Sequence, residues 1–123
     1  MATIKPRIGV AYAGIATVVS FTDERILEEN DINELQESIM AVIESAPGKI
    51  SLILDFGNVQ FLSSAVLGLL IRISKRIYER QGRLRLCNIN PKIHEIFKIT
   101  RLTKTFDIYT DVESAAESLS QAD

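Results

Sequence analysis

The chain is poor in the residues that most chemistry needs. Its 123 residues include no tryptophan, one cysteine and one histidine. A lone Cys87 cannot close an internal disulfide, which fits a reducing compartment and a cytoplasmic location. One histidine, His94, cannot form a metal-binding pair, and no Cys-x-x-Cys, His-x-x-x-His or carboxylate cluster offers ligand spacing. No glycine-rich loop of the P-loop or dinucleotide type is present. A Ser-His-Asp assembly would have to recruit His94, which sits between Ile93 and Ile96 in a helical stretch and reads as a surface or packing residue. The expectation is a chain that is not an enzyme, with no metal and no cofactor.

Long apolar runs are also missing. The longest, residues 65–71, is broken by Gly68 and stopped by Arg72, well short of the ~20 residues that cross a bilayer. No basic segment followed by an apolar run marks a signal peptide at the start. Charge of one sign is scarce. Fourteen Lys and Arg against sixteen Asp and Glu leave a net charge of -2, too little to recruit nucleic acid or acidic lipid.

What remains suffices for one packed core. Hydrophobic residues make up 46% of the chain, which argues against disorder. The length fits one domain over 1–123, with an ordered core over roughly 8–119. Residues 1–6 read as a loose start. Two β-rich runs, 8–12 and 15–21, flank Ala13-Gly14 as a hairpin. The polar run 22–30 reads as a loop. Asp31 and Glu34 have capping-box spacing before Ile32, Leu35, Ile39, Val42 and Ile43 at helical period, and Pro47-Gly48 ends that helix. Residues 50–56 form a strand-length apolar run of the kind found in a sheet centre. Gly57-Asn58 is a turn and 59–62 a short extended piece.

A long helix is expected from Ser63 or Ser64 to near Gly82. Leu67, Leu70, Ile73 (or Ser74) and Ile77 form its apolar stripe, with Arg72, Lys75, Arg76, Glu79 and Arg80 opposite. A strand at 83–86 follows, and Asn90-Pro91 caps a short helix with Ile93, Ile96 and Phe97 inside. A last strand at 106–109 precedes a final helix with Thr110 and Glu113 as a second capping box, fraying at the C-terminus. The order ββαβαβαβα implies an α/β fold: a mixed, mainly parallel sheet of four to five strands with about four helices.

Basic residues Arg72, Lys75, Arg76, Arg80, Arg83 and Arg85 cluster within fourteen positions. Two readings stay open: a solvated helix face running into a strand, or a surface that docks an acidic partner. No aromatic interleaves with these charges to stack bases, which disfavours nucleic acid. The stretch 55–68, DFGNVQFLSSAVLG, carries more. A strand leads through Ser63-Ser64 into a helix, and serine is a preferred N-cap. Capping does not explain the further small residues Ala65 and Gly68. These leave the first turns open to a partner's backbone, at a helix start whose N–H groups and dipole suit a phosphate.

At this stretch the chain resembles the STAS family, and within it the bacterial anti-sigma-factor antagonists. The resemblance covers roughly residues 8–119. It rests on the element order, on the Ser-Ser segment before the helix and on Gln81-Gly82 in place of a Gly-Gly turn. It also rests on the ordered run Pro91, Phe97, Ile99, Leu102, Phe106 and Ile108. In this alignment Ser64 takes the family's phosphorylated position, with Ser63 as the second choice. Ser63 replaces the usual aspartate, Ala65 the usual Ser/Thr and Val66 the usual glycine, while Leu67 and Gly68 match. Glu28 falls near a functional aspartate of the family.

The resemblance implies a switch. Unphosphorylated, Glu28, Ser63, Ser64, Ala65, Gly68, Arg72, Lys75 and Arg76 would contact a serine-kinase anti-sigma factor. The kinase would phosphorylate the serine and release the domain, and a serine phosphatase would reverse the step. The resemblance leaves a monomer or weak dimer open. Two other readings come with the family: a non-phosphorylated scaffold or subunit module, and a small-molecule or nucleotide sensor.

Overall fold

The computed structural model describes residues 7–120. The loose start at residues 1–6 and the fraying past residue 120 lie outside the described residues. In chain order the elements are β1 (Ile8–Ala13), β2 (Ala16–Phe21), β3 (Arg25–Ile26), α1 (Glu29–Ser45) and β4 (Ser51–Asp55). These are followed by β5 (Phe61–Leu62), α2 (Ser64–Glu79), β6 (Arg83–Cys87), α3 (Pro91–Ile99), a 3-10 turn at Leu102–Lys104, β7 (Ile108–Tyr109) and α4 (Val112–Ser120).

Five strands form one sheet in the order β1-β2-β4-β6-β7. β1 and β2 are an antiparallel hairpin, closed through Gly14 in the left-handed region, and the other pairings are parallel. β4 is central because it is apolar on both faces. Leu52 and Leu54 point into one core and Ile53 into the other, as the two-residue strand period requires. The larger core joins Val19, Phe21 and Leu86 to α1, α2 and α3; the smaller sets Ile53, Val18 and Cys87 against Ala115 and Leu119 of α4. Each fully buried Leu or Ile contributes about 1.5–3 kcal/mol relative to exposure.

α2 ends in a six-residue C-terminal clasp. Gln81 takes a left-handed φ of 59°; its N–H donates to Tyr78 O, and Gly82 N–H donates to Ile77 O at 2.8 Å. Gly82 is small for a separate reason: a Cβ there would lie 2.4 Å from the carbonyl oxygen of Ile50.

Several local expectations are corrected. The run 22–30 is not all loop, because it holds β3 and the first residues of α1. The Asp31–Glu34 capping box does not form. α1 has already begun at Glu29, and Arg7 takes both carboxylates, Asp31 at 2.8 Å and Glu34 at 2.9 Å. α4 is capped one residue later than expected: Asp111 Oδ1, not Thr110, accepts from Ser114 N–H at 2.8 Å. Within 59–62, only Phe61–Leu62 is strand, paired in parallel with β3. The polar face of α2 is not simply solvated. Arg76 pairs with Glu44, and Arg80 donates to the Ile43 and Ala46 carbonyls at the end of α1.

Candidate functional site

The β3–β5 pair brings two helix starts together. Ile26 and Leu62 bury their side chains in the larger core, which fixes the loops leading into α1 and α2 side by side. One further bond completes the tie: Ser63 N–H donates to Ile26 O at 3.0 Å. Between the two helix starts lies an open groove of about 420 Å³. Leu27, Glu29, Ile32 and Asn33 line it from the α1 side, and Ser64, Ala65, Gly68 and Arg72 from α2.

The two serines are held in opposite ways. Ser63 is the N-cap residue of α2, extended at φ -86° and ψ 163°, and its carbonyl accepts from Val66 N–H at 3.0 Å. Its hydroxyl makes no cap bond. Oγ is buried and has no hydrogen-bond partner among the described residues. Capping by this hydroxyl, expected from the sequence, is therefore not what the serine does. Ser64 is the first helical residue and is exposed, as is Ala65 beside it. Only Ser64 presents its hydroxyl to an incoming group.

The electrostatics suit an added anion. α1 carries Glu29 and Asp31 in its first turn, whereas α2 has no acidic residue there, so the positive end of its dipole is uncompensated. Arg72 reaches along the same groove with its Nε donating to Gln36 Oε1 at 2.8 Å. Glu29 is the opposing charge on the far wall. Gly68 is half-buried under Arg72, and a methyl placed on it would meet only Arg72 Nη1, at an ordinary 3.5 Å. The fold does not need a glycine there.

Of the residues singled out from the sequence, the groove gathers Ser64, Ala65, Gly68 and Arg72, with Ser63 directly behind. Glu28 is exposed at the N-cap of α1 and does not line the groove; its neighbour Glu29 does. Lys75 is exposed farther along α2, and Arg76 is held by Glu44. The sequence reading missed the α1 wall. Leu27 was its one signal, an apolar residue directly after Ile26 in a polar run, where a strand can turn only one of two neighbours inward.

Two titratable groups away from the groove, Asp55 and Cys87, are structural. Asp55 at the end of β4 accepts from Gly57 N–H and Asn88 Nδ2, each at 2.9 Å, pinning two turns together. The Cys87 thiol is pushed up to about 12, first by burial and then by Asp55 and Asp111, so it is no nucleophile at neutral pH. Among the described residues no group of three or more His, Cys, Asp or Glu gathers as a metal site, and no helix is long and apolar enough to cross a membrane.

The STAS domain model matches residues 14–115. The "Putative anti-sigma factor antagonist BtrV" of Bordetella bronchiseptica is 26% identical over 97 residues, covering 79% of this chain and 82% of that protein. The anti-sigma-factor antagonist (STAS) domain protein of Planctomyces limnophilus has a solved structure that superposes with a TM-score of 0.84. Its identity is 25%, over 93% of this chain and 98% of that one. The fold is also that of the anti-sigma factor antagonist SpoIIAA in its unphosphorylated form, at a TM-score of 0.67 and 15% identity over 94% and 99% of the two chains. The sheet order, the Ser-Ser start of α2 and a family match spanning most of the length lead to one conclusion: the chain belongs to the STAS domain family.

Proposed function

We propose that this domain is an anti-sigma-factor antagonist, a binding switch rather than an enzyme. Its α2 start docks on a serine-kinase anti-sigma factor while Ser64 is unmodified. The observation that carries the reading is the exposure of Ser64 at an uncapped helix start beside an open groove, with the neighbouring Ser63 hydroxyl turned inside. Relatives named as anti-sigma factor antagonists support it.

In the kinase complex Ser64 Oγ attacks the γ-phosphorus of ATP. The new O–P bond forms as the bond to the β,γ-bridging oxygen breaks, ADP leaves, and the hydroxyl proton passes to a base on the kinase. The phosphate adds about −1.5 to −2 charges. Within the domain that charge meets the α2 N-terminus and Arg72, which favour it, and Glu29, which does not. Within the complex it lies in a closed contact and must be desolvated or repelled, so the partner leaves. A serine phosphatase restores the hydroxyl by attack of water, releasing inorganic phosphate. Arg72 and Lys75 form the basic flank of the same surface, with Arg76 behind them already paired to Glu44. Lys75 has no partner within the chain among the described residues, so its charge is free for an acidic one.

Incubating the purified domain with ATP and candidate serine-kinase anti-sigma factors, then mapping the phosphosite by mass spectrometry, tests the reading. Phosphate is expected on Ser64, absent in Ser64→Ala and retained in Ser63→Ala. Ser64→Asp should bind the kinase at least tenfold more weakly than the parent. If Ser64→Asp binds every partner as well as the parent does, the domain is a constitutive scaffold instead.

A further inference from the structure

A second hollow, of about 330 Å³, opens beside the Ser64 groove and shares Leu27 with it. Its apolar surface comes from Leu27, Phe61, Ile93 and Ile96. Leu27 and Phe61 are 48% and 45% exposed, far more than a core position would leave them. Phe61 also lies between two cations, with Arg25 Cζ 5.0 Å and Lys92 Nζ 6.0 Å from its ring centre.

Apart from this contact with the Phe61 ring, neither cation is neutralised by a carboxylate among the described residues. Arg7, Arg76, Arg80, Arg85 and Lys98 each pair with a carboxylate; Arg25 and Lys92, like Arg72 and Lys75 beside the neighbouring groove, have no acidic partner among the described residues. An apolar hollow rimmed by two unpaired cations is complementary to an apolar group flanked by negative charge. Its volume suits one or two large side chains. The hollow is also tied to the switch: Phe61 and Leu62 are β5, the residues immediately before Ser63, and Arg25 pairs with Phe61 in register. A partner covering Ser64 therefore reaches the hollow without a gap.

We propose that this hollow is the anchor pocket of the Ser64 interface. The protein that covers Ser64 inserts an apolar side chain between Leu27 and Phe61 and sets carboxylates against Arg25 and Lys92. The proposal rests on the reading of Ser64 as the docking site, and it names the chemistry of the partner's contacting segment.

Site-specific photo-crosslinking separates the two ideas. A benzoylphenylalanine is placed at Phe61 or, in a second protein, at Ala65, and each is irradiated with the serine-kinase anti-sigma factor used above. Both positions should crosslink, and the peptide joined to position 61 should carry Asp or Glu next to an apolar residue. In parallel, Arg25→Glu with Lys92→Glu, two exposed changes that leave the core intact, should weaken kinase binding at least tenfold at low salt and less at high salt. Phe61→Ala should weaken it at all salt concentrations. Crosslinking at 65 without crosslinking at 61, or unchanged affinity in the charge-reversed protein, overturns the anchor and leaves the Ser64 reading standing. Absence of crosslinks at both positions together with no phosphate on Ser64 overturns both. A crosslink from 61 to a second copy of this chain also overturns the anchor. So does saturable laurate binding that Phe61→Ala removes and the kinase does not compete.

Discussion

Arg76 on α2 holds Glu44 on α1 with two donors, Nη2 lying 2.7 Å from Oε1 while Nε faces Oε2. The pair spans the seam between the two helices whose starts form the groove. The guanidinium hydrogen bond holds the Glu44 carboxyl below the usual carboxylate range. A depressed folded pKa means the pair stabilises above the unfolded value and loses that contribution as pH falls through the folded one. Glu44→Gln should therefore lower stability slightly at neutral pH, where the pair is ionised, and flatten the acid limb so that variant and parent converge as pH falls. The difference should shrink in high salt, since the pair is open to solvent. Urea midpoints from pH 3 to pH 7 at two ionic strengths check this.

Ser63→Ala should be neutral or slightly stabilising. The hydroxyl it removes is buried without a partner, and burying an unpaired hydroxyl costs about 1–3 kcal/mol. A loss of more than about 1 kcal/mol by chemical denaturation would mean that Oγ holds an unseen hydrogen bond, and the contrast drawn between the two serines would fail.

Gly68→Ala should move stability and function in opposite directions. Alanine in place of glycine within a helix stabilises by roughly 0.5–1 kcal/mol, and the new methyl meets only Arg72 Nη1 at 3.5 Å. The melting temperature should rise. Kinase binding should weaken, because the added carbon stands in the groove beside Ser64. A rise in stability with unaltered binding would show that the partner does not approach Gly68.

Asp111 caps α4, and the Ser114 N–H hydrogen bond lowers its pKa. The cap is thus complete at neutral pH and fails as pH drops through the lowered folded value. Asp111→Ala should expose α4 amides to faster hydrogen exchange than the parent at neutral pH, with the difference closing as pH falls through the lowered Asp111 value. Asp111→Asn should keep the cap and remove its acid sensitivity, the property that separates charge from geometry.

The sheet and the start of α2 were legible because the apolar period changes sharply there. ISLILDF reads as a central strand covered on at least one face, and from Ser63 or Ser64 the spacing becomes that of Leu67, Leu70, Ile73 and Ile77. Asn90-Pro91 was equally readable, since the Asn90 side chain accepts from Ile93 N–H and the proline occupies the first helical position. β3 was not readable. Two residues carry no period, and their pairing depends on Phe61 and Leu62, some 36 positions away. Capping boxes misled for a related reason. Spacing cannot tell that Arg7, 27 residues before Glu34, will claim the acid that spacing assigns to a helix end. The orientation of Ser63 and Ser64 is also invisible in sequence, because it is set by the bond from Ser63 N–H to Ile26 O.

The burial of Cys87 has a practical consequence. It is the only thiol in the chain, lies beneath α4, and is held far from its reactive form at neutral pH. A cysteine introduced at exposed Glu117 would thus be the single site open to maleimide, with no background mutation needed. α4 sits on the sheet face opposite α1 and α2, so a dye or sensor-chip linkage at that position leaves the Ser64 groove turned toward the solution.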